Sequence, residues 1–350
     1  MDDIAQRLRV SKVTVSKALR GHPDISAETT AKIKKLARKW GYIPNYPARN
    51  LASNHSKTIG VIVPKIAHYF FSPVIEAMYD VAFENGYELI LTVSQESVQR
   101  EQKHVETLLS MRVDGIIVSV TQETRDGSIF QRAKQRVPLT FMDRVMDDEG
   151  FNKIVADDFG GAFTATEQAI RVGCRTIAHL SGNRYLSIAR NRLAGYKAAL
   201  KKHEIPVSED RILFSGLSDD DGYAGFQSLY ESKRMPECIF CVTYPVALGV
   251  CRAARERGMR IPEDIDIITF GSSTLNRFQS PSMSYIEQPT TELGRKALEL
   301  TIDTIRTTND FVPQTITLPT RLVLRDTCVR SRQHGQKAGV GLTKKVGMQA

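Results

Sequence analysis

Residues 10–26 read VSKVTVSKALRGHPDIS and combine hydroxyls, cations and β-branched apolar side chains. On a helix, Ser11, Lys12, Val13, Thr14, Ser16 and Lys17 fall at the start and on the outer face. Val15, Ala18 and Leu19 recur at a spacing that turns them inward. Hydroxyls and lysines so placed can hydrogen-bond phosphate oxygens and base edges, and a valine can meet a thymine methyl. That is the chemistry of side chains entering a major groove. The pattern alone also fits a small helical bundle with a solvated basic face.

Charge favours the first reading. Residues 1–57 carry a net charge of +8 and residues 331–350 carry +4, whereas residues 58–330 carry −3. A small basic module thus precedes a near-neutral body, and localised positive charge of this kind fits a polyanionic partner.

The elements that must position these side chains are legible nearby. DDIAQRL forms a short helix, with Asp2 and Asp3 favourable at its start and Ile4, Ala5 and Leu8 on one face. Arg9 stands in the turn that follows; a left-handed conformation there costs on the order of 1 kcal/mol. Ser11 caps a second helix from Lys12 to about Arg20, Gly21 supplies its C-cap, and Pro23 prevents continuation. Ser26 caps a third helix, Ala27 to Trp40, whose apolar stripe is Ile33, Leu36, Ala37 and Trp40, and Gly41 ends it. Three short helices with a tight turn between the first two make a helix-turn-helix unit.

Other chemistry finds no support. No G-x-G-x-x-G follows the first strand of the body, no P-loop is present, and HLSGN does not match G-x-S-x-G. The seven histidines show no metal-ligand spacing. Cys238 and Cys241 stand three apart in what reads as a buried strand, so they point to opposite faces. Five scattered cysteines suit a reducing compartment. No apolar run approaches the ~20 residues of a membrane helix, and MDDIAQRLRV has no signal-peptide core. The expectation is a cytoplasmic protein that is not an enzyme, with no cofactor, metal or membrane.

From Thr58 onward strands such as TIGVIVP, YELILTV and GIIVSV alternate with amphipathic helices, and the set restarts near residue 160. Such alternation means parallel sheets covered by helices, here in two similar lobes. Ligands of such folds sit beyond the carboxyl ends of the strands.

DIA, VSKVTVSKAL, ISAET and GYIPNYPARNL occur at the spacing of the DNA-binding headpiece of the LacI/GalR family of bacterial transcription regulators, which residues 1–53 resemble without gaps. The body, from about 58 to 330, resembles that family's core through segments such as FFSPVIEA, RVDGIIV, FMDR, NRLAGYKAAL and EQPTTELGRKALEL. The core is itself similar to periplasmic sugar-binding proteins.

The resemblance implies an all-α helix-turn-helix headpiece over residues 1–44 and a hinge helix and linker over 45–57. It further implies a two-lobed α/β core with parallel sheets over 58–330, with lobes joined by three crossovers; the basic tail, 331–350, is expected to be disordered. It implies a homodimer that represses transcription at a pseudo-palindromic double-stranded operator under control of a small, carbohydrate-related effector. Lys12 and Val13 would lead base reading, Thr14 and Ser16 would bond phosphates, and Lys17 would reach a base edge or phosphate. Ser11, Arg20, Ser26, Thr29, Tyr42, Asn45 and Arg49 would complete the DNA contacts. Leu51 would wedge into the minor groove from a hinge helix that orders on the operator.

The effector residues implied are Phe70, Phe71, Asp143 and Arg192. Departures from the family pattern are concentrated nearby: Thr243 and Tyr244 replace an Asn-Asp pair, Gly271 and Ser272 stand where an acid is usual, and Asp220 replaces an aromatic. Such a pocket suits a different sugar, a phosphorylated one, or none. The competing class is a cytoplasmic, cleft-type small-molecule-binding protein with an incidental basic arm.

Overall fold

The computed structural model describes residues 1–19, 21–42, 55–66, 69–271, 274–307 and 312–329. Its chain divides into two compact units, Met1–Ser56 and Lys57–Ala350.

The first unit contains α1 (Asp2–Leu8), α2 (Lys12–Leu19) and α3 (Ala27–Lys39). Ser11 Oγ accepts from Thr14 N at 3.0 Å, and Ser26 Oγ accepts from Thr29 N at 3.3 Å, so both expected caps close orphan donors at helix starts. Arg9 ends α1 in the left-handed conformation, at φ 53°. The core is small: Ile4, Ala5, Val15, Ala18, Ile33 and Ala37, with Leu8, Leu19 and Leu36 partly buried against it. Trp40 departs from the expected stripe. It is the C-cap of α3 and is 46% exposed, because the helix ends before its side chain can turn inward.

The second unit has two lobes. The first holds β1 (Thr58–Val63), α4 (Phe71–Asn85), β2 (Glu88–Val93), α5 (Val98–Ser110), β3 (Gly115–Val118), α6 (Ser128–Lys134), β4 (Leu139–Met142) and β5 (Asn152–Ala156). The second holds α7 (Asp158–Arg171), β6 (Ile177–Leu180), α8 (Ser187–Lys202), β7 (Ile212–Leu213), α9 (Asp219–Glu231), β8 (Cys238–Cys241), α10 (Tyr244–Glu256), β9 (Asp266–Phe270) and β10 (Ser284–Glu287). The chain then returns through α11 (Thr290–Arg306) and β11 (Thr315–Leu318) to the first lobe, and ends with β12 (Arg321–Val323) in the second. Helix α6 has no counterpart in the sequence pattern; seven residues are too few for a periodic stripe.

Sheet order is β11-β5-β4-β3-β1-β2 in one lobe and β12-β10-β9-β8-β6-β7 in the other. Every pair in the first sheet is parallel. The second is parallel except at its edge, where β12 runs antiparallel to β10. Strands buried on both faces explain the near-continuous apolar runs: Val61 and Val63 pack on one side of β1, Ile62 on the other. Cys238 and Cys241 likewise enter opposite cores of the second lobe, and Cys238 Sγ lies 3.7 Å from the thiol of Cys328, a neighbour no spacing announced.

Three crossovers join the lobes, at β5–α7, β10–α11 and β11–β12. Glycines, Gly294 and Gly249 among them, allow close helix packing. A Cβ at Gly294 of α11 would collide with the carbonyl oxygen of Val74 in α4, and one at Gly249 of α10 with that of Asp219 in α9. Among the described residues no helix is long and apolar enough to cross a membrane.

Candidate functional site

Two surfaces carry the residues singled out from the sequence. In the first unit, Ser11, Lys12 and Val13 are exposed at the start of α2, and Thr14, Ser16 and Lys17 are half-buried along it. Val13 is 63% exposed although it is apolar, beside the buried Val15 and Ala18 of the same helix. Lys12 pairs with Asp2, and Lys17 Nζ lies 2.8 Å from Asp24, whose carboxyl is held below the usual range chiefly by its hydrogen bond to Lys17. The Ser11 and Thr14 hydroxyls are 2.9 Å apart, as are those of Ser26 and Thr29. Ser26 is exposed, Thr29 is half-buried, and Tyr42 packs on the edge of the small core. Arg20, Asn45, Arg49 and Leu51 lie outside the described residues, as do the proposed hinge helix and the basic tail.

The second surface is a cleft of about 920 Å³ within the two-lobed unit, where the carboxyl ends of both sheets and the starts of α4, α10 and α11 meet. Phe70, Phe71, Asp143, Arg192, Thr243 and Tyr244 all line it. Tyr69 of the first lobe and Tyr244 of the second meet edge to face, ring centroids 6.4 Å apart. The Tyr244 hydroxyl donates to Gln279 Oε1 at 3.1 Å, and burial pushes its pKa up to about 12. Phe71 is 1% exposed and belongs as much to the first lobe's core as to the cleft.

Asp143 follows β4 in the left-handed region, at φ 64°, a conformation costly for a residue other than glycine and found where surroundings impose it. Burial raises its pKa, against the opposing field of Arg144 and Arg192. Ser119 Oγ lies 3.4 Å and Arg144 Nε 3.8 Å from its Oδ2. Arg144 donates through Nη1 to Glu96 at 2.8 Å.

Arg192 is almost wholly buried, and it is held on three sides. Nε donates to Asp158 Oδ1 at 2.8 Å, Nη2 lies 2.7 Å from the same oxygen, and Nη1 donates to the Val242 carbonyl. Its guanidinium carbon lies 3.7 Å from the centroid of the Phe270 ring. Burial raises Asp158 to about 6, with Arg192 opposing the shift.

One described candidate does not join the cleft. Asp220 is exposed near the start of α9 and bonds Arg252 at 2.8 Å; a carboxylate with a solvated guanidinium in reach has no reason to turn into an apolar wall. Ser272 lies outside the described residues. Sequence reasoning also missed Tyr69, Arg144 and Asp158. A buried arginine demands an acid, but nothing in the sequence says which of the 39 supplies it.

The pattern of the lacI family of bacterial regulatory proteins matches residues 1–45, and that of a periplasmic binding protein-like domain matches residues 166–328. A ribose operon repressor of Haemophilus influenzae is 32% identical over 326 residues, which cover 93% of this chain and 97% of the relative. The fold is similar to the crystal structure of the lac repressor dimer bound to operator and the anti-inducer ONPF, with TM-score 0.81 and 26% identity, covering 93% of this chain and 98% of the other. It is also similar to a LacI family transcriptional regulator from Enterococcus faecium with bound ribose, with TM-score 0.69 and 25% identity over 79% of this chain and all of that one.

Proposed function

The chain belongs to the LacI family of bacterial regulatory proteins, and on that premise we propose that it is an operator-binding repressor that works as a homodimer under control of a small, sugar-related effector. The observation that carries the DNA-binding half is the face of α2. An apolar side chain exposed between a lysine and a threonine has no packing role, and a major groove can use all three. Lys12 and Val13 read bases, Thr14 and Ser16 bond phosphates, Lys17 reaches a base edge or phosphate, and Ser11, Arg20, Ser26, Thr29, Tyr42, Asn45 and Arg49 complete the DNA contacts. Leu51 enters the minor groove. Residues 1–44 form the headpiece, 45–57 the hinge and linker, and 58–330 the core that binds effector and pairs with the second subunit. No catalytic step is required, and the protein acts in the cytoplasm.

The cleft is the effector site in this reading. The ribose operon repressor name of one relative and the ribose bound in one structural neighbour support a sugar-related ligand. The lac repressor dimer on its operator supports the homodimer. Effector binding favours one arrangement of the lobes and thereby shifts the population able to pair on DNA.

Selection from a random double-stranded DNA library at two salt concentrations tests the reading. The expected result is an enriched two-fold symmetric site whose affinity falls steeply with salt. Failure to enrich any symmetric site would leave only a cleft-binding protein with a basic arm.

A further inference from the structure

If α2 enters the major groove, as proposed above, the lysine near its end does not enter alone. Lys17 stands one helical turn beyond Val13, so the two share the outward face of α2, opposite the buried Val15 and Ala18. Its Nζ meets Asp24 Oδ2 at 2.8 Å, and His22 Nδ1 lies 3.4 Å from the same oxygen. Asp24 is carried by a bonded turn. His22 N donates to the Lys17 carbonyl at 3.0 Å, Ile25 N donates to the His22 carbonyl at 3.3 Å, and Ile25 packs on the headpiece core. The turn holds this carboxylate beside the outward face of α2 even when Lys17 lets go of it. The carboxylate does not cap α3, because Ser26 does so. The Asp24 side chain is 55% exposed. Hydrogen bonding to Lys17 holds its carboxyl below the usual range, so it is an anion at neutral pH.

An anion in this place does not help a surface that only grips phosphates. The pair with Lys17 is too weak to hold the lysine, but a phosphate drawn to the same spot would be repelled by Asp24. Base edges differ. Each base pair shows one amino group in the major groove, on adenine or on cytosine, beside acceptors; guanine and thymine show acceptors only. An ammonium can only donate and a carboxylate can only accept. Lysine alone therefore suits any acceptor. Lysine with a carboxylate 2.8 Å away offers a donor and an acceptor side by side. That arrangement matches the ring nitrogen and amino group of adenine, or the amino group of cytosine and the oxygen of its paired guanine. A keto oxygen where the amino group should be would face the carboxylate, acceptor against acceptor.

We propose that Asp24 is a specificity-determining residue of the headpiece, which accepts a hydrogen bond from the amino group of an adenine or cytosine while Lys17 donates to the neighbouring acceptor of the same base pair.

The test uses the full chain, the symmetric site it selects, and copies of that site from which one amino group at a time is removed: purine in place of adenine, pyrimidin-2-one in place of cytosine. At one base pair of the half-site the deletion weakens the unchanged protein by about tenfold, the size of one good base contact. Asp24→Ala is insensitive to that same deletion within about twofold, the scatter expected of independent changes. Asp24→Asn, whose amide oxygen still accepts, keeps part of the sensitivity. Equal sensitivity of the unchanged protein and Asp24→Ala at every base pair overturns the proposal. So does an Asp24→Ala protein whose affinity rises alike for selected and random DNA, since Asp24 would then be a charge that weakens binding without reading it. Either result leaves operator binding standing. A chain that selects no symmetric site overturns the operator reading, and this role of Asp24 with it.

Discussion

On α2, Lys12 keeps 66% of its side chain in solvent and Lys17 34%, each beside one exposed carboxylate. In the cleft, Arg192 and Arg144 keep 1% and 4%, and their carboxylates Asp158 and Glu96 are themselves 4% and 12% exposed. The same pairing of cation and acid therefore does opposite work in the two regions. Exposed pairs contribute about 0–1 kcal/mol and are screened by salt, so a lysine can leave its acid for a phosphate at little cost. Buried pairs hold because an unpartnered charge in the interior is far worse than a paired one. The headpiece keeps its cations available; the cleft makes them part of a wall.

The largest expected effect comes from breaking a buried pair. Asp158→Ala strands Arg192 in the interior and should destabilise the core by about 3–5 kcal/mol, read from urea unfolding of the full chain. A loss under about 1 kcal/mol would make this pair behave like a surface one and dissolve the contrast.

Proton linkage gives the next effect. Glu101 is fully buried on α5, accepting from Thr121 N at 2.8 Å and Thr124 Oγ1 at 2.6 Å. Burial raises its pKa from 4.5 to about 7, with Glu96 adding to the shift and Arg144 opposing it. Because the folded state binds this proton more tightly than the unfolded chain, its contribution is present below about 4.5 and is lost as pH rises through about 7, a span of about 3 kcal/mol. His179, lowered to about 4 by burial, works in the opposite sense. Glu101→Gln should remove the Glu101 slope alone, leaving stability flatter between pH 4.5 and 7. An unchanged difference between the two proteins across that range would show that Glu101 ionises freely.

The smallest effect belongs to the exposed side. Lys12→Ala should cost about 1–3 kcal/mol of discrimination at one or two base pairs of the selected operator and leave the melting of the core unchanged. Sequence preference retained at every base pair would reduce Lys12 to a backbone contact and make the headpiece purely electrostatic.

The sequence by itself determined whatever is settled within a few residues. Ser11 and Ser26 cap because their hydroxyls reach N–H groups three residues on, and Gly21 and Gly41 end helices because they adopt positive φ, at 73° and 61°. The alternating strands and helices of the body, and the opposite facing of Cys238 and Cys241, follow from periods of 3.6 and 2 residues. The LacI-type motifs added the architecture and placed Phe70, Phe71, Asp143, Arg192, Thr243 and Tyr244 near a cleft that all of them line. Tertiary structure alone decided the partners. Asp158 meets Arg192 across 34 residues of chain, Tyr69 meets Tyr244 from another lobe, Asp220 turns out to Arg252, and β12 reverses at its sheet edge. Caps and periodicities act through the local backbone, whereas the choice of counter-ion for a buried charge depends on which segments folding brings together, and no spacing along the chain encodes it.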